Sequence, residues 1–133
     1  MSANARDWLA FATADLRAAR LLLSDPGVPS RIACFHAQHA AEKALKATLV
    51  AESTPFKKTH DIVVLAGLAP AELSAALATV DVLILQPWAV EGRYPGDLPD
   101  ATATEANDAL TTASAIIDAV EHWLTNHRLR GLG

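Results

Sequence analysis

The side chains with the greatest chemical capacity in this chain lie close together: His36, His39, Glu42, Lys43 and Lys46. On a helix, where each residue advances by about 100°, all five fall within an arc of roughly 120°. Two imidazoles three apart with a carboxylate three further on are the donor types of a metal site. Several features argue against one. Steps of three drift across a helix, Lys43 and Lys46 would crowd a cation, and the His-Glu-x-x-His form is absent. The single cysteine, Cys34, supplies no cluster to complete a ligand set. No metal and no cofactor are therefore expected. The residues read instead as a hydrogen-bonded polar stripe that orients a neighbouring helix or a second subunit.

Lys43, Lys46, Lys57, Lys58 and His60 concentrate positive charge around the end of this stretch and the loop after it. A nucleotide phosphate suits such a place, helped by free amides at the start of the following helix. The competing reading is an ordinary solvated surface, with Lys43 paired internally to Asp15. Asp15 falls inside an apolar stripe, where an ionised carboxylate needs a partner; a lysine or histidine of the second helix would serve. Further on, Arg93-Tyr94-Pro95 has two readings. Arg93 can hold a phosphate with Tyr94 beside a base, or with Tyr94 presented for modification. Otherwise the segment is a turn whose Arg pairs with a helix acid and whose Tyr packs on the core.

The elements that must position these groups are helical. At 133 residues, 51% hydrophobic and 20% charged, the chain is expected to be one domain over 1–133, ordered from about residue 4 to about 126. Aromatics make up 5%, so alanine and leucine must build the interior, which favours close-packed helices over a sheet. A net charge of −4 argues against an extended nucleic-acid coat, though not against a local basic patch. The lone cysteine suits a reducing compartment, and its flanks Ala33 and Phe35 suit a buried packing role. The charged N-terminus is no signal peptide, and no uncharged run nears the ~20 residues of a membrane span. A cytoplasmic protein without membrane contact is expected.

Residues 4–24 form the first predicted helix, with Trp8, Phe11, Ala12, Leu16, Ala19 and Leu22 on its apolar side. Ser30 is the expected N-cap of the second helix, which runs to about Ser53. Its alanines (Ala33, Ala37, Ala40, Ala41, Ala44 and Ala47) form a face that lets a partner approach closely. Thr59 is expected to cap a short helix over 60–67. Pro70 then opens a helix taking in Leu73, Leu77, Val80, Leu83 and Ile84 and stopping before Pro87. Residues 86–101 hold too many prolines and glycines for a regular element, and a loop of that length is more often functional than a mere connector. Thr102 with Glu105 gives a capping box, and sustained three–four spacing from Ala106 to Leu124 gives the last helix. The tail after His127 is expected to fray. The expected fold is thus all-α, an up-and-down bundle of about five helices, four long and one short.

Phe35-His36-Ala37-Gln38-His39-Ala40-Ala41-Glu42-Lys43-Ala44-Leu45-Lys46-Ala47 resembles the signature helix of HEPN domains. Trp8 with Ala14-Asp15-Leu16-Arg17-Ala18-Ala19, then Lys58-Thr59-His60-Asp61, then Arg93-Tyr94-Pro95 follow that family's order, so the resemblance covers nearly the whole chain. It implies a HEPN-like bundle, a homodimer, and a nucleotide- or RNA-binding protein acting with a minimal nucleotidyltransferase in a toxin–antitoxin-like pair. His36, His39, Lys43, Lys46, His60, Arg93 and Tyr94 would meet the ligand, with Asp15 and Glu42 orienting them. In some such pairs the partner adenylylates a HEPN tyrosine; the spacing around Tyr94 differs from that longer motif.

The resemblance raises one alternative, a metal-independent ribonuclease. Many HEPN proteins carry an Arg followed four to six residues later by a His. Here Arg93 precedes Tyr94-Pro95-Gly96-Asp97-Leu98-Pro99, with no histidine in range, so His36 or His60 would have to be brought to Arg93 by the fold or by a second subunit. Arg31 and His36 match the spacing literally, but five residues on one helix turn them about 140° apart. A third reading is a helical interaction module with no ligand, in which Lys43, Lys46 and Arg93 are consumed by internal ion pairs.

Overall fold

The computed structural model describes residues 4–89 and 99–132. Among them are five α-helices and no strand. The helices are α1 (Ala5–Leu23), α2 (Ser30–Ala51), α3 (Ile62–Gly67), α4 (Ala71–Leu77) and α5 (Ala103–Leu132). The expected all-α bundle is what forms, with α1, α2 and α5 as its long members. Two 3-10 turns, Val82–Ile84 and Gln86–Trp88, lie between α4 and α5. No helix of the described residues is long and apolar enough to cross a membrane.

α2 is the central helix because its alanines let two neighbours come close. Ala33, Ala37, Ala40, Ala41, Ala44 and Ala47 are all fully buried, and α2 packs on both α1 and α5. Those partners answer with small residues of their own, Ala12 and Ala19 on α1 and Ala106, Ala109 and Ala113 on α5. Methyl against methyl sets a short interaxial distance, and Leu45, Leu49, Ile116 and Val120 fill the space that remains. The alanine face is thus used inside the chain, so a second subunit would have to meet another surface.

The helix ends show where local and distant residues share the capping. Asn4 and Asp7 close a capping box on α1, and Thr102 and Glu105 close the one expected on α5. Ser30, the expected N-cap of α2, is instead its first helical residue. The preceding Pro29 has no side-chain acceptor to offer, and Asp100 supplies it from the far side of the chain. Its carboxylate accepts from the backbone amides of Arg31 at 2.8 Å and Ser30 at 3.2 Å. Partial burial pushes this carboxyl upward, but the hydrogen bonds from Arg31, Ala101 and Ser30 outweigh it and hold the group below its ordinary range.

α2 ends in a Schellman arrangement. The amide of Thr54 donates to the carbonyl of Leu49 and that of Ser53 to Val50, with Ser53 at a φ of 53°. Below the helix start, Cys34 is buried as expected. Desolvation, with the carboxylates of Glu105 and Asp100 adding to it, pushes its thiol up to about 11.

The middle of the chain departs from expectation in two ways. Asp61, not Thr59, caps α3: its carboxylate accepts from the amides of Val63 and Val64, while Thr59 accepts from the amide of Asp61. The single helix expected up to Pro87 stops at Leu77. Asp81 takes the amide of Leu83 and restarts the chain as a 3-10 turn, and Pro87 has no N–H with which to rebuild an α-helix. At the other end of the chain, α5 runs to Leu132.

Candidate functional site

The polar stripe of α2 forms two linked ion-pair centres. In the first, Asp15 on α1 accepts from Nζ of Lys43 at 2.6 Å, and Nδ1 of His36 lies 3.7 Å from its other oxygen. Asp15 is only one-fifth exposed, so the lysine answers a carboxylate that the apolar side of α1 would otherwise leave unpaired. Nζ of Lys43 also lies 5.7 Å from the ring centre of Phe11.

The second centre is deeper. Glu42 has 3% of its side chain exposed and Lys46 8%, and Lys46 donates to Oε1 of Glu42 at 2.8 Å. Nζ of Lys46 sits 5.8 Å from the ring centre of Trp8, which shields it from solvent on that side. The same Oε1 lies 2.7 Å from Nδ1 of His60, whose side chain is 61% exposed. Oε2 of Glu42 has no hydrogen-bond partner among the described residues, and Nδ1 of His39 is 3.8 Å from it. On its other side, Nε2 of His39 meets the carbonyl of Ala89 at 3.4 Å. Desolvation lowers the pKa of His39 despite the opposing pull of Glu42, so the ring favours its neutral form.

Gln38, fully buried one turn before Glu42, donates to the carbonyl of His60 at 3.1 Å and holds that segment against α2. Gln86 reaches Asp61 at 3.4 Å. The side-chain oxygens of both glutamines are buried without a hydrogen-bond partner among the described residues.

The rings form a continuous row. Phe35 lies 5.3 Å from His36 and 4.2 Å from His39, and His39 lies 5.5 Å from His60, centre to centre. Phe35 and Gln38 were not singled out as functional from the sequence. Both stand inside the motif, but only the fold shows Phe35 bridging two histidines and Gln38 anchoring a third.

Of the sequence-derived site residues, the structure brings His36, His39, Glu42, Lys43, Lys46, His60 and Asp15 onto one face. Arg93 and Tyr94 lie outside the described residues, and so does the comparison of Arg93 with either histidine. Lys43 and Lys46 are engaged by carboxylates. The amides at the start of α3, expected to be free for an anion, are taken by Asp61. Lys57 and Lys58 are exposed and have no ion-pair partner among the described residues. Arg31 lies within α2, so it and His36 point apart as their spacing requires. A shallow groove between α1 and α5, lined by Arg20, Asn107, Thr111, Ser114 and Asp118, shares no residue with the histidine face.

Comparisons with known proteins agree on the type of fold. The family described as HEPN domain matches residues 5–123. TT1696 from Thermus thermophilus, known from a crystal structure, is 33% identical with a TM-score of 0.69, over 89% of this chain and 96% of its own. The crystal structure of ST0689, an archaeal HEPN homologue, gives 26% identity and a TM-score of 0.69, over 92% of this chain and 98% of its own. Among curated proteins, none matches this sequence.

Proposed function

The chain belongs to the HEPN domain family, and we propose that within it this protein is a nucleotide- or RNA-binding member acting beside a minimal nucleotidyltransferase in a toxin–antitoxin-like pair. The observation that carries the ligand reading is the row of partly exposed rings His36, Phe35, His39 and His60. Every base offers a π-face, and each base stacked on an aromatic side chain contributes about 1–3 kcal/mol. Lys57 and Lys58, close to His60 in sequence, are exposed and without an ion-pair partner among the described residues, and would meet phosphate. Glu42 and Asp15 orient the rings without touching ligand. The nucleotidyltransferase partner and the homodimer come from the family resemblance. Phe11 and Leu21, large apolar side chains left exposed on α1, are the surface such a contact would cover.

A second reading is favoured by one observation. Lys43 and Lys46 are consumed by internal ion pairs, as a ligand-free interaction module requires. The experiment that separates the two is binding of ATP and of a short single-stranded RNA, followed by anisotropy and by melting temperature in chelator-containing buffer. A ligand at about 100 times its Kd adds roughly 2.7 kcal/mol to the folded state. The ligand reading expects weaker binding in the Lys57→Ala/Lys58→Ala double variant and in Arg93→Ala. With two or three cations on phosphate, log affinity for single strands should fall against log salt with a slope of only about 1.4–2.1. Cleavage of the RNA, lost in Arg93→Ala and in His36→Ala or His60→Ala, would replace binding by the ribonuclease alternative. No binding of either ligand leaves the interaction module.

A further inference from the structure

We infer that His39, Glu42 and His60 form a binding site for a divalent transition-metal ion of the zinc type, with Glu42 entering through its Oε2 oxygen. One donor atom from each residue can be chosen so that all lie within 4.8 Å of one another. A tetrahedral zinc ion with bonds of about 2.0–2.1 Å sets its ligand atoms ~3.3 Å apart. Nδ1 of His39 stands 3.8 Å from Oε2 of Glu42, and Nδ1 of His60 stands 2.7 Å from the other oxygen of the same carboxylate, Oε1. Small side-chain rotations close the set.

The second observation is independent of spacing. Oε2 of Glu42 is buried and has no hydrogen-bond partner among the described residues, while the carboxylate as a whole is 3% exposed. Facing it at 3.8 Å is Nδ1 of His39. The tautomer of His39 follows from its other nitrogen, which meets the carbonyl of Ala89. A carbonyl only accepts, so Nε2 carries the hydrogen, and Nδ1 is the ring nitrogen that faces Oε2 and whose lone pair a cation would take. Nε2–H to a backbone carbonyl is also how a ligating histidine is held at its rear. Gln38 holds the main chain of His60, through its carbonyl, against α2.

The objections that the sequence raised now weigh less. Drift along the helix does not matter, because the third ligand, His60, comes from another segment. Lys43 is turned away onto Asp15. Lys46 stays beside the site, but on Oε1, leaving Oε2 for the ion. For His60 to ligate through Nδ1, the hydrogen shared with Oε1 must leave that nitrogen and the ring must hold its one hydrogen on Nε2. The exposure of His60 leaves a path from solvent and coordination positions open to water or an anion oxygen.

Protein stripped of metal with a chelator is titrated with Zn2+ against a chromogenic competitor, and with Co2+ for its visible absorption. One ion per chain is expected. Binding should weaken by at least about 10-fold in His60→Ala and in Glu42→Gln, since loss of mere outer partners already costs 10–100-fold. His122→Ala, an exposed histidine elsewhere, should bind as the parent does. Because His60 is exposed, His60→Ala removes a ligand without opening the core, and circular dichroism checks that it folds. Absence of one-to-one binding, affinity undiminished in His60→Ala and Glu42→Gln, or loss of binding in His122→Ala would each overturn the inference. No nucleotide enters this assay, so the site and the proposed ligand reading can fail separately.

Discussion

Replacing Glu42 by Ala tests how the centre of the polar face is held. On a solvated helix, Glu and Lys four apart stabilise by only about 0.3–0.5 kcal/mol. Here the same spacing joins two groups that are 3% and 8% exposed, at 2.8 Å. Removing one partner leaves an ammonium buried beside Trp8, and breaking such a pair costs about 3–5 kcal/mol. That is a large part of the ~5–15 kcal/mol that holds a domain folded. Replacing both partners should cost far less, because it removes the need to solvate either charge. Glu42→Ala should therefore be worse than Glu42→Ala/Lys46→Met, with a coupling of about 0.5–3 kcal/mol. Urea unfolding in chelator at pH 7, with unchanged m values, gives both numbers. A single-variant loss near ~0.5 kcal/mol, the scale of an exposed pair, would mean that Lys46 simply swings to water. The ion pair would then be ornament rather than structure.

Two further perturbations address the ends of α2. Asp100→Ala removes a cap supplied from another part of the chain and should cost about 0.5–2 kcal/mol, toward the lower end because the carboxylate is exposed. Because the folded state holds this carboxyl below its ordinary range, its contribution is complete above the unfolded pKa and disappears as pH falls through the folded one. Urea midpoints of parent and variant should thus converge in strong acid; a gap that persists there would refute the assignment. Ser53→Gly relieves a left-handed backbone that a side chain disfavours, and should stabilise by up to about 1 kcal/mol in a melting experiment. A lower melting temperature would mean that the Ser53 side chain contributes something the hydrogen bonds do not show.

What could be read from the sequence was whatever depends on neighbours in the chain. The alanine run of α2 announced a helix with close partners on two sides, and Thr102 with Glu105 announced the start of α5. Pairings across the fold could not be read. Nothing local marks Asp100 as the cap of α2, 70 residues from Ser30. The middle segment failed for a different reason: the three–four spacing of Leu73, Leu77, Val80 and Ile84 is real, but Asp81 competes for the amides that an unbroken helix would need. At the site, Lys43 and Lys46 look like free cations when Asp15 and Glu42 are read as separate residues. Only when α1 and His60 are each laid against α2 do the charges find their partners.

That pairing changes what the face can do. The two carboxylates Asp15 and Glu42 and the two lysines Lys43 and Lys46 cancel, so these four groups give the stripe no net charge. A phosphate gains little from it, and its attraction must come from Lys57, Lys58 and groups outside the described residues. The rings remain, together with buried acceptors that have no donor among the described residues, Oε2 of Glu42 and the side-chain oxygen of Gln38. Acceptors in excess favour a cation, and rings in a row favour a base. A metal ion on this face would restore the positive charge that the lysines no longer offer, and a nucleotide could then meet stacking and charge in one place. The ion and the base thus make separable demands on the same side chains, which is why His60→Ala should weaken zinc binding in the absence of any nucleotide.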